Sequence, residues 1–279
     1  MQCSLAANLS PALIEALRRE PSLVDAIKAS EFGDPQYVEE CRNLAPSKRL
    51  IVHGICQVTD WGRIRPPAPG NPGFRESIDL AAVRTALEVV HPQYMSVHLE
   101  LLDDHLDAKG FLTSLSRDAE FIRSLTGLPV HLENTHTIFP KGHRRVHDTG
   151  YVSDPFFIKD ALAAARARLL LDICHAQVAA WHKAEQVEQY LDRLPLDLVD
   201  EVHVCAPAMV DGELRDRHAQ LDDEGYRLLE YVLARAQVKT VSLEYGGFGP
   251  LFEERSSRLA LVEQLRRLKE TLTRGLRLA

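Results

Sequence analysis

Histidine and carboxylate side chains stand at or just after the ends of short apolar runs in this 279-residue sequence. Imidazole nitrogens and carboxylate oxygens are the ligands that zinc, iron and manganese take in catalytic sites. The candidate metal ligands are His53, His98, Glu133, Asp172, His175, His203, Asp216, His218 and Glu244. This set of residue types predicts a metal-dependent enzyme.

A carboxylate at the end of an apolar strand is costly to bury unless a cation neutralises it. Glu133 and Glu244 both end such runs, and we expect no lysine or arginine at the strand ends to pair with them. The candidate set also exceeds the three or four protein ligands that one ion takes. We therefore predict two or three metal ions, with Glu133 or Glu244 bridging them.

Eight apolar runs alternate with amphipathic stretches, which is typical of parallel strands joined by helices. The predicted strands are Cys3–Asn8, Val24–Ser30, Leu50–His53, Tyr94–Leu99, Pro129–Asn134, Leu169–Asp172, Glu201–Cys205 and Thr240–Glu244. The clearest helical patterns are Glu76–Val90, Pro155–Arg168, Ala184–Arg193, Asp222–Arg235 and Ser256–Thr273. Eight such units predict an α/β fold, a single (β/α)₈ TIM-barrel domain over residues 1–279, with the candidate ligands at its C-terminal rim. An open doubly wound sheet is the alternative.

Composition narrows the choice of partners. The formal net charge is −7, so the chain has no global electrostatic footprint for nucleic acid, and any anionic partner must be held locally. No apolar run approaches the roughly 18 residues of a membrane span. The five cysteines form no C-x-x-C pair, and the first residues show no secretory signal, so we expect free thiols in the cytoplasm. Cys174 and Cys205 lie among the candidate ligands as predicted buried thiols, with soft metal ligands as the alternative.

Two predicted connections between strand and helix are long, Gly54–Arg75 and Thr135–Asp154. Both would lie on the catalytic face of a barrel, where one of them could form a lid or a substrate cleft. The second carries the candidate substrate-binding residues Lys141, His143, Arg144 and Arg145. Exposed loop charge is the alternative interpretation of these four.

Several of these motifs resemble those of the endonuclease IV family. The resemblance covers Leu132-Glu-Asn-Thr135, Leu171-Asp-Ile-Cys-His-Ala176, Asp216-Arg-His218 and Leu243-Glu244. It implies a barrel with three zinc ions that hydrolyses a phosphodiester at abasic sites in DNA. After the second strand, where that family inserts a loop into DNA, this chain reads Ser30-Glu-Phe-Gly-Asp-Pro35.

The later part of the chain is similar to the multinuclear nonheme iron-dependent oxidases of the methanobactin-biosynthesis type, which share the xylose isomerase-like barrel. The similarity covers Tyr190-Leu-Asp-Arg-Leu-Pro195, Val199-Asp-Glu-Val-His203 and Leu243-Glu-Tyr245. It implies an iron site that uses O₂ to modify a cysteine-containing peptide, which a separate partner protein presents.

From these resemblances we predict an iron-dependent oxidoreductase acting on a peptide or small thiol-containing substrate. Iron is the preferred metal, and zinc or manganese are alternatives. A zinc phosphodiesterase is the alternative function. A sugar isomerase or epimerase is a further alternative, but it needs a catalytic lysine near the metals, and we expect none there. A non-catalytic metal-binding protein is the last alternative.

Overall fold

The computed structural model describes residues 3–30, 43, 46–55, 57, 67–101, 107–136, 151–247 and 257–275. The strands in these ranges are β1 (Ser4–Asn8), β2 (Ala26–Ser30), β3 (Arg49–His53), β4 (Met95–His98), β5 (Val130–Glu133), β6 (Arg168–Asp172), β7 (Val199–Val204), β8 (Ala206–Val210), β9 (Glu213–Ala219) and β10 (Thr240–Leu243). All but β8 and β9 are parallel and close into a barrel in the order β1-β10-β7-β6-β5-β4-β3-β2. The predicted TIM barrel is confirmed, and the open sheet is wrong.

The helices in the described ranges follow the strands and cover the barrel. They are α1 (Pro11–Arg19), α2 (Leu80–Val90), α3 (Ala108–Thr126), α4 (Pro155–Ala165), α5 (Ile173–His182), α6 (Val187–Arg193), α7 (Asp223–Leu233) and α8 (Arg258–Gly275). At several helices the side chain of the residue just before the first turn accepts from free backbone N–H groups. Ser10 accepts from Leu13 N at 3.1 Å, and Asp154 accepts from Phe156 N at 2.9 Å. None of the helices described here is long and apolar enough to cross a membrane.

Successive side chains of each barrel strand point alternately outward, toward the helices, and inward, toward the centre of the barrel. Apolar residues such as Leu171, Val202 and Leu243 point outward and are fully buried in the main hydrophobic cluster. The inward positions begin with a small apolar layer of Ala6, Ala26, Ile51 and Tyr94. Above that layer the interior is polar and buried, which requires the polar side chains to satisfy one another or to bind ions.

The strand register places neighbouring candidate ligands within two residues of one another. His98 pairs with Glu133 and Asp172 with His203, while His53 pairs with Ser96, two residues before His98. Because parallel strands end at the same rim of a barrel, these inward side chains meet there.

Two departures from the sequence predictions concern local backbone geometry. The helix predicted from Ala184 begins at Val187, because Ala184 has a φ of 52° in the left-handed region. The hairpin formed by β8 and β9 is not among the predicted elements, although it carries Asp216 and His218 to the rim. Its turn is Asp211-Gly212, with φ of 53° and 79°, the geometry that Asp-Gly favours in a two-residue hairpin.

Candidate metal centre

All nine candidate ligands lie at the C-terminal end of the barrel. Their donor atoms fall into three sets, which we name by position. The donor atoms of the histidine set (His53, His98 and Glu133) lie within 4.8 Å of one another, as do those of the inner set (Glu133, Asp172, His203 and Glu244). The hairpin set (Asp172, His175, Asp216 and His218) is linked by pairwise contacts of 3.0, 3.5 and 3.9 Å. Cys174 and Cys205 also form a group with Asp216, and Cys205 forms another with His218 and Glu244. Glu133 and Asp172 each belong to two sets, so both are placed to bridge neighbouring ions.

The histidine set brings two imidazole nitrogens onto one carboxylate oxygen. Glu133 Oε2 lies 3.0 Å from His53 Nε2 and 3.3 Å from His98 Nε2. It is buried and accepts no hydrogen bond of good geometry from the described residues. The His98 side chain is 32% exposed, so this set faces the open end of the barrel.

The protonation state of His53 indicates that the histidine set needs a cation between His53 Nε2 and Glu133. Ser96 Oγ donates to the Val52 carbonyl at 3.1 Å, so it accepts from His53 Nδ1 at 3.0 Å. Burial and the nearby Lys28 ammonium lower the pKa of His53, which keeps the ring neutral. The lone pair of Nε2 therefore faces a carboxylate oxygen with no proton between them, and a bound cation resolves that repulsion.

The hairpin set surrounds Asp216. Asp216 Oδ2 lies 3.0 Å from His218 Nε2 and 3.5 Å from His175 Nε2. His175 Nδ1 lies 2.8 Å from the Asn134 carbonyl and donates to it, which turns Nε2 toward the set. Asp172 Oδ2, 3.9 Å from His175 Nε2, is a buried oxygen without a hydrogen-bond partner among the described residues.

Local backbone geometry aims the two hairpin ligands. A register irregularity between β8 and β9 follows Ala206, and His218 has a φ of 45° in the left-handed region. Asp216 and His218 are two residues apart, a spacing that points both side chains the same way along a regular extended strand. Their side chains do meet, but through this irregular backbone, which the His218 N–H stabilises by donating to Asp216 Oδ1 at 3.0 Å. Strained backbone of this kind is common at functional sites.

The inner set lies deepest and already contains a cation. Lys28 Nζ donates to Glu244 Oε1 and lies 2.9 Å from His203 Nε2. The Lys28 side chain is fully buried. Burial alone would lower the pKa of Lys28, but the carboxylates of Glu244 and Glu133 outweigh it and hold the pKa above its usual value.

Lys28 corrects the expectation that no lysine lies near the candidate ligands. It stands inside the second strand rather than at its end, and its long side chain reaches up to the inner set. Its signal in the sequence is a lysine within the apolar run Ala26-Ile-Lys-Ala29. A charge there must be paired, because a lone buried ammonium is far too costly.

A second missed group lies beneath His203. Glu201 Oε1 lies 3.1 Å from His203 Nε2 and accepts from Ser242 Oγ at 2.6 Å, while Tyr94 OH donates to Glu201 Oε2. Burial raises the pKa of Glu201, but its contacts with His203 lower it to about 2. Glu201 is two residues before His203, and side chains two apart on a strand point the same way, so the sequence does indicate that Glu201 shares the inward face with His203.

The two cysteines are buried and free, as predicted. Cys174 Sγ lies 3.4 Å and Cys205 Sγ lies 3.7 Å from Asp216 Oδ1. Burial raises the pKa of Cys174, so the thiol form is held beside the hairpin set. The candidate substrate-binding residues Lys141, His143, Arg144 and Arg145 lie outside the described residues.

The donor sets fit divalent metal ions. They offer imidazole nitrogens and carboxylate oxygens in groups of three or four, with Glu133 Oε2 and Asp172 Oδ2 buried and unsatisfied. Burial raises the pKa of Asp172 to about 7, and the nearby carboxylates of Glu244, Glu133 and Asp216 act in the same direction. The histidine set and the hairpin set would each hold one ion.

Comparison with known proteins identifies the family. The family model described as RiPP precursor modification enzyme MbnB/TglH/ChrH matches residues 79–267, more than half of the chain. The chain belongs to this family. The match includes every candidate ligand except His53 and confirms the resemblance to the oxidase group.

Individual relatives agree with this assignment. A UPF0276 protein of Bordetella parapertussis is 32% identical over 162 residues, which are 55% of this chain and 51% of the relative. The chain therefore spans about half the length of the curated relatives it matches.

Solved structures support the fold. A xylose isomerase domain containing protein from Salmonella typhimurium has a TM-score of 0.59 at 13% identity and covers 98% of both chains. Endonuclease IV from Thermus thermophilus has a TM-score of 0.53 at 16% identity, covering 95% of this chain and 99% of that one. The fold is thus a xylose isomerase-like TIM barrel.

Proposed function

We propose that this chain is a multinuclear iron-dependent oxidase that uses O₂ to oxidise a cysteine-containing peptide or a small thiol substrate. The observation that carries the proposal is the histidine set, two imidazoles and one carboxylate on a solvent-facing rim. This ligand combination with open positions is the one that nonheme Fe(II) oxygenases use. The family match to enzymes that modify peptide precursors supports a peptide as the substrate.

The histidine set and the hairpin set would hold iron, which would supply redox chemistry between the substrate thiol and O₂, the terminal oxidant. The protein supplies the orientation and the charge. Ser96 holds the His53 ring so that Nε2 faces the set, and the Asn134 carbonyl does the same for His175. Burial raises the pKa of Glu133, but the neighbouring histidines, His98 foremost, lower it well below its usual value, so Glu133 stays ionised as a ligand.

The substrate is proposed to approach from the exposed side of His98. Lys141, His143, Arg144 and Arg145 remain the proposed substrate-binding residues, because a basic segment after β5 suits a peptide carboxylate. A separate protein that presents the peptide is part of the proposal. A cytoplasmic location is also proposed, since the thiols of Cys174 and Cys205 are free.

Lys28 bears on the sugar isomerase alternative. A lysine near the metals, which we did not expect, is present, so its absence no longer argues against an isomerase. Lys28 is nevertheless fully buried, and its contacts are with His203 and Glu244 rather than with the open face. An isomerase needs its lysine on the substrate side of the metals, so the oxidase remains the proposal.

The test measures three activities of the purified chain: peptide oxidation, phosphodiester cleavage and sugar isomerisation. The chain is purified without oxygen, loaded with ferrous iron, and supplied with O₂ and a panel of synthetic cysteine-containing peptides. We expect oxygen consumption and a mass change in a peptide, both lost in His98→Asn and kept in His91→Asn, which alters an exposed histidine at the end of α2. Cleavage of an abasic-site duplex by the zinc-loaded chain without oxygen consumption would favour the phosphodiesterase, and interconversion of an aldose and a ketose would favour the isomerase.

A further inference from the structure

The inner set differs from the other two because a side chain of the protein already contacts its ligand atoms. Lys28 Nζ donates to Glu244 Oε1, and it lies 2.9 Å from Nε2 and 3.2 Å from Nδ1 of His203. These atoms belong to two of the four residues whose donors lie within 4.8 Å of one another. An ion bound to His203 and Glu244 would need the space that the ammonium group fills.

The charges of the buried side chains also disfavour a metal ion beside Lys28. Five buried or nearly buried carboxylates line the centre, Glu133, Asp172, Glu201, Asp216 and Glu244. Lys28 is the cation of the protein that touches them within the described part of the chain. With neutral imidazoles, one ammonium and two divalent ions neutralise the five negative charges. A third divalent ion beside Lys28 would leave an excess of positive charge in a buried site, which is unfavourable.

The fold holds Lys28 in this position. It lies in the middle of β2, between Asn8 of β1 and Ile51 of β3 in the register. The layer below it, toward the start of the strands, is apolar at Ala6 and Ala26. The polar groups around the ammonium group are His203 and Glu244, with Glu201 next to His203, so moving the ammonium group toward the apolar layer would bury an unpaired charge.

We infer that the Lys28 ammonium takes the place of one metal ion, so that this chain binds two ions, one in the histidine set and one in the hairpin set, and none in the inner set. The inference rests on the proposed function only in requiring a metal centre. It assigns Lys28 as a positioning residue, which holds His203 and Glu244 in place of an ion.

The experiment measures how many ions bind per chain. The full chain is stripped with a chelator and titrated with zinc, and bound metal is counted by elemental analysis after gel filtration. The variants are Lys28→Ala, which opens space for an ion, and Lys28→Met, which keeps the length of the side chain and removes its charge. Lys239→Met is the matched control, because Lys239 pairs with Asp200 at the other end of the barrel.

We expect two zinc ions in the wild type and in Lys239→Met, and three in Lys28→Ala. Lys28→Met should bind two ions like the wild type, because the methionine side chain still fills the space beside His203 and Glu244. Three ions in the wild type would overturn the inference and leave the proposed function standing. Two ions in a folded Lys28→Ala would also overturn it. Fewer than two ions in the wild type would contradict the metal centre itself, and the inference with it. The number of zinc ions bound per wild-type chain tests the inference even if a variant does not fold.

Discussion

Removing the charge of Glu133 gives the sharpest expectation about the metal centre. Glu133 Oε2 lies 3.0 Å from His53 Nε2, and its Oε1 lies 3.3 Å from His203 Nδ1. Glu133→Gln keeps the shape and one carbonyl acceptor but loses the negative charge. Outer-shell substitutions already weaken metal binding about 10- to 100-fold, so this direct ligand should cost at least ~100-fold. That corresponds to about 2.8 kcal/mol of metal binding.

The loss can be read from thermal stability. Because a ligand stabilises the folded state in proportion to the logarithm of its affinity, a ~100-fold weaker ion should remove roughly 6 °C from the metal-induced rise in Tm. The assay compares zinc-loaded and chelator-treated protein for each variant, so any effect of the substitution on the fold alone cancels. Glu120→Gln, on the exposed face of α3, is the control. A Glu133→Gln chain with the wild-type metal content and the wild-type rise in Tm would refute the reasoning.

Three further expectations concern the barrel that positions the centre. Tyr94→Phe removes a partly buried hydroxyl that donates to the buried Glu201, and it should lower the free energy of unfolding by about 2 kcal/mol. Tyr231→Phe, whose hydroxyl is exposed, should change it less, as urea denaturation would show. Burial raises the pKa of Asp200, but pairing with Lys239 and Arg168 outweighs it and lowers the pKa, and Asp200→Asn loses that pairing. Because the pKa is depressed in the folded state, the destabilisation should be full above about pH 4 and shrink as the pH falls further. Thermal unfolding at several pH values tests this, with the exposed Asp197→Asn as the control that should show no such trend. Gly70→Ala should destabilise more than Gly127→Ala, since both have positive φ but only the Gly70 Cβ would meet the Phe111 ring, at 2.8 Å; equal changes in Tm would contradict the steric argument.

Strand positions could be predicted from the sequence because the barrel imposes a simple pattern. Each barrel strand is apolar outward, as at Leu169 and Leu171, and six of the predicted ligands stand at or near strand ends. The same pattern placed the ligands at the rim, since parallel strands of a barrel end together.

The interior partners could not be predicted in the same way. Which inward side chains meet across a barrel depends on the register between strands, and the register that brings Lys28 below His203 is not visible in either segment alone. Lys28 could not be predicted because it lies in the middle of its strand, and nothing in its own segment indicates the carboxylates that it contacts across the barrel. Glu201 was missed for a related reason, since it stands two residues before the rim.

The hairpin was missed although its turn carries a strong local signal. Asp211-Gly212 between two extended segments favours a two-residue hairpin. The flanking residues mix exposed and half-buried positions, because β9 uses its inward face for ligands rather than for core packing. The segment of β9 therefore lacks the apolar alternation that indicates a strand.

Anomalous X-ray diffraction from crystals of the iron-loaded chain tests the central claim most directly. The account predicts one iron peak within coordination distance of His53, His98 and Glu133, and a second among Asp172, His175, Asp216 and His218. No peak should lie at the position of the Lys28 ammonium group. Iron peaks only at the protein surface, with Glu133 Oε2 left without a cation, would contradict the account.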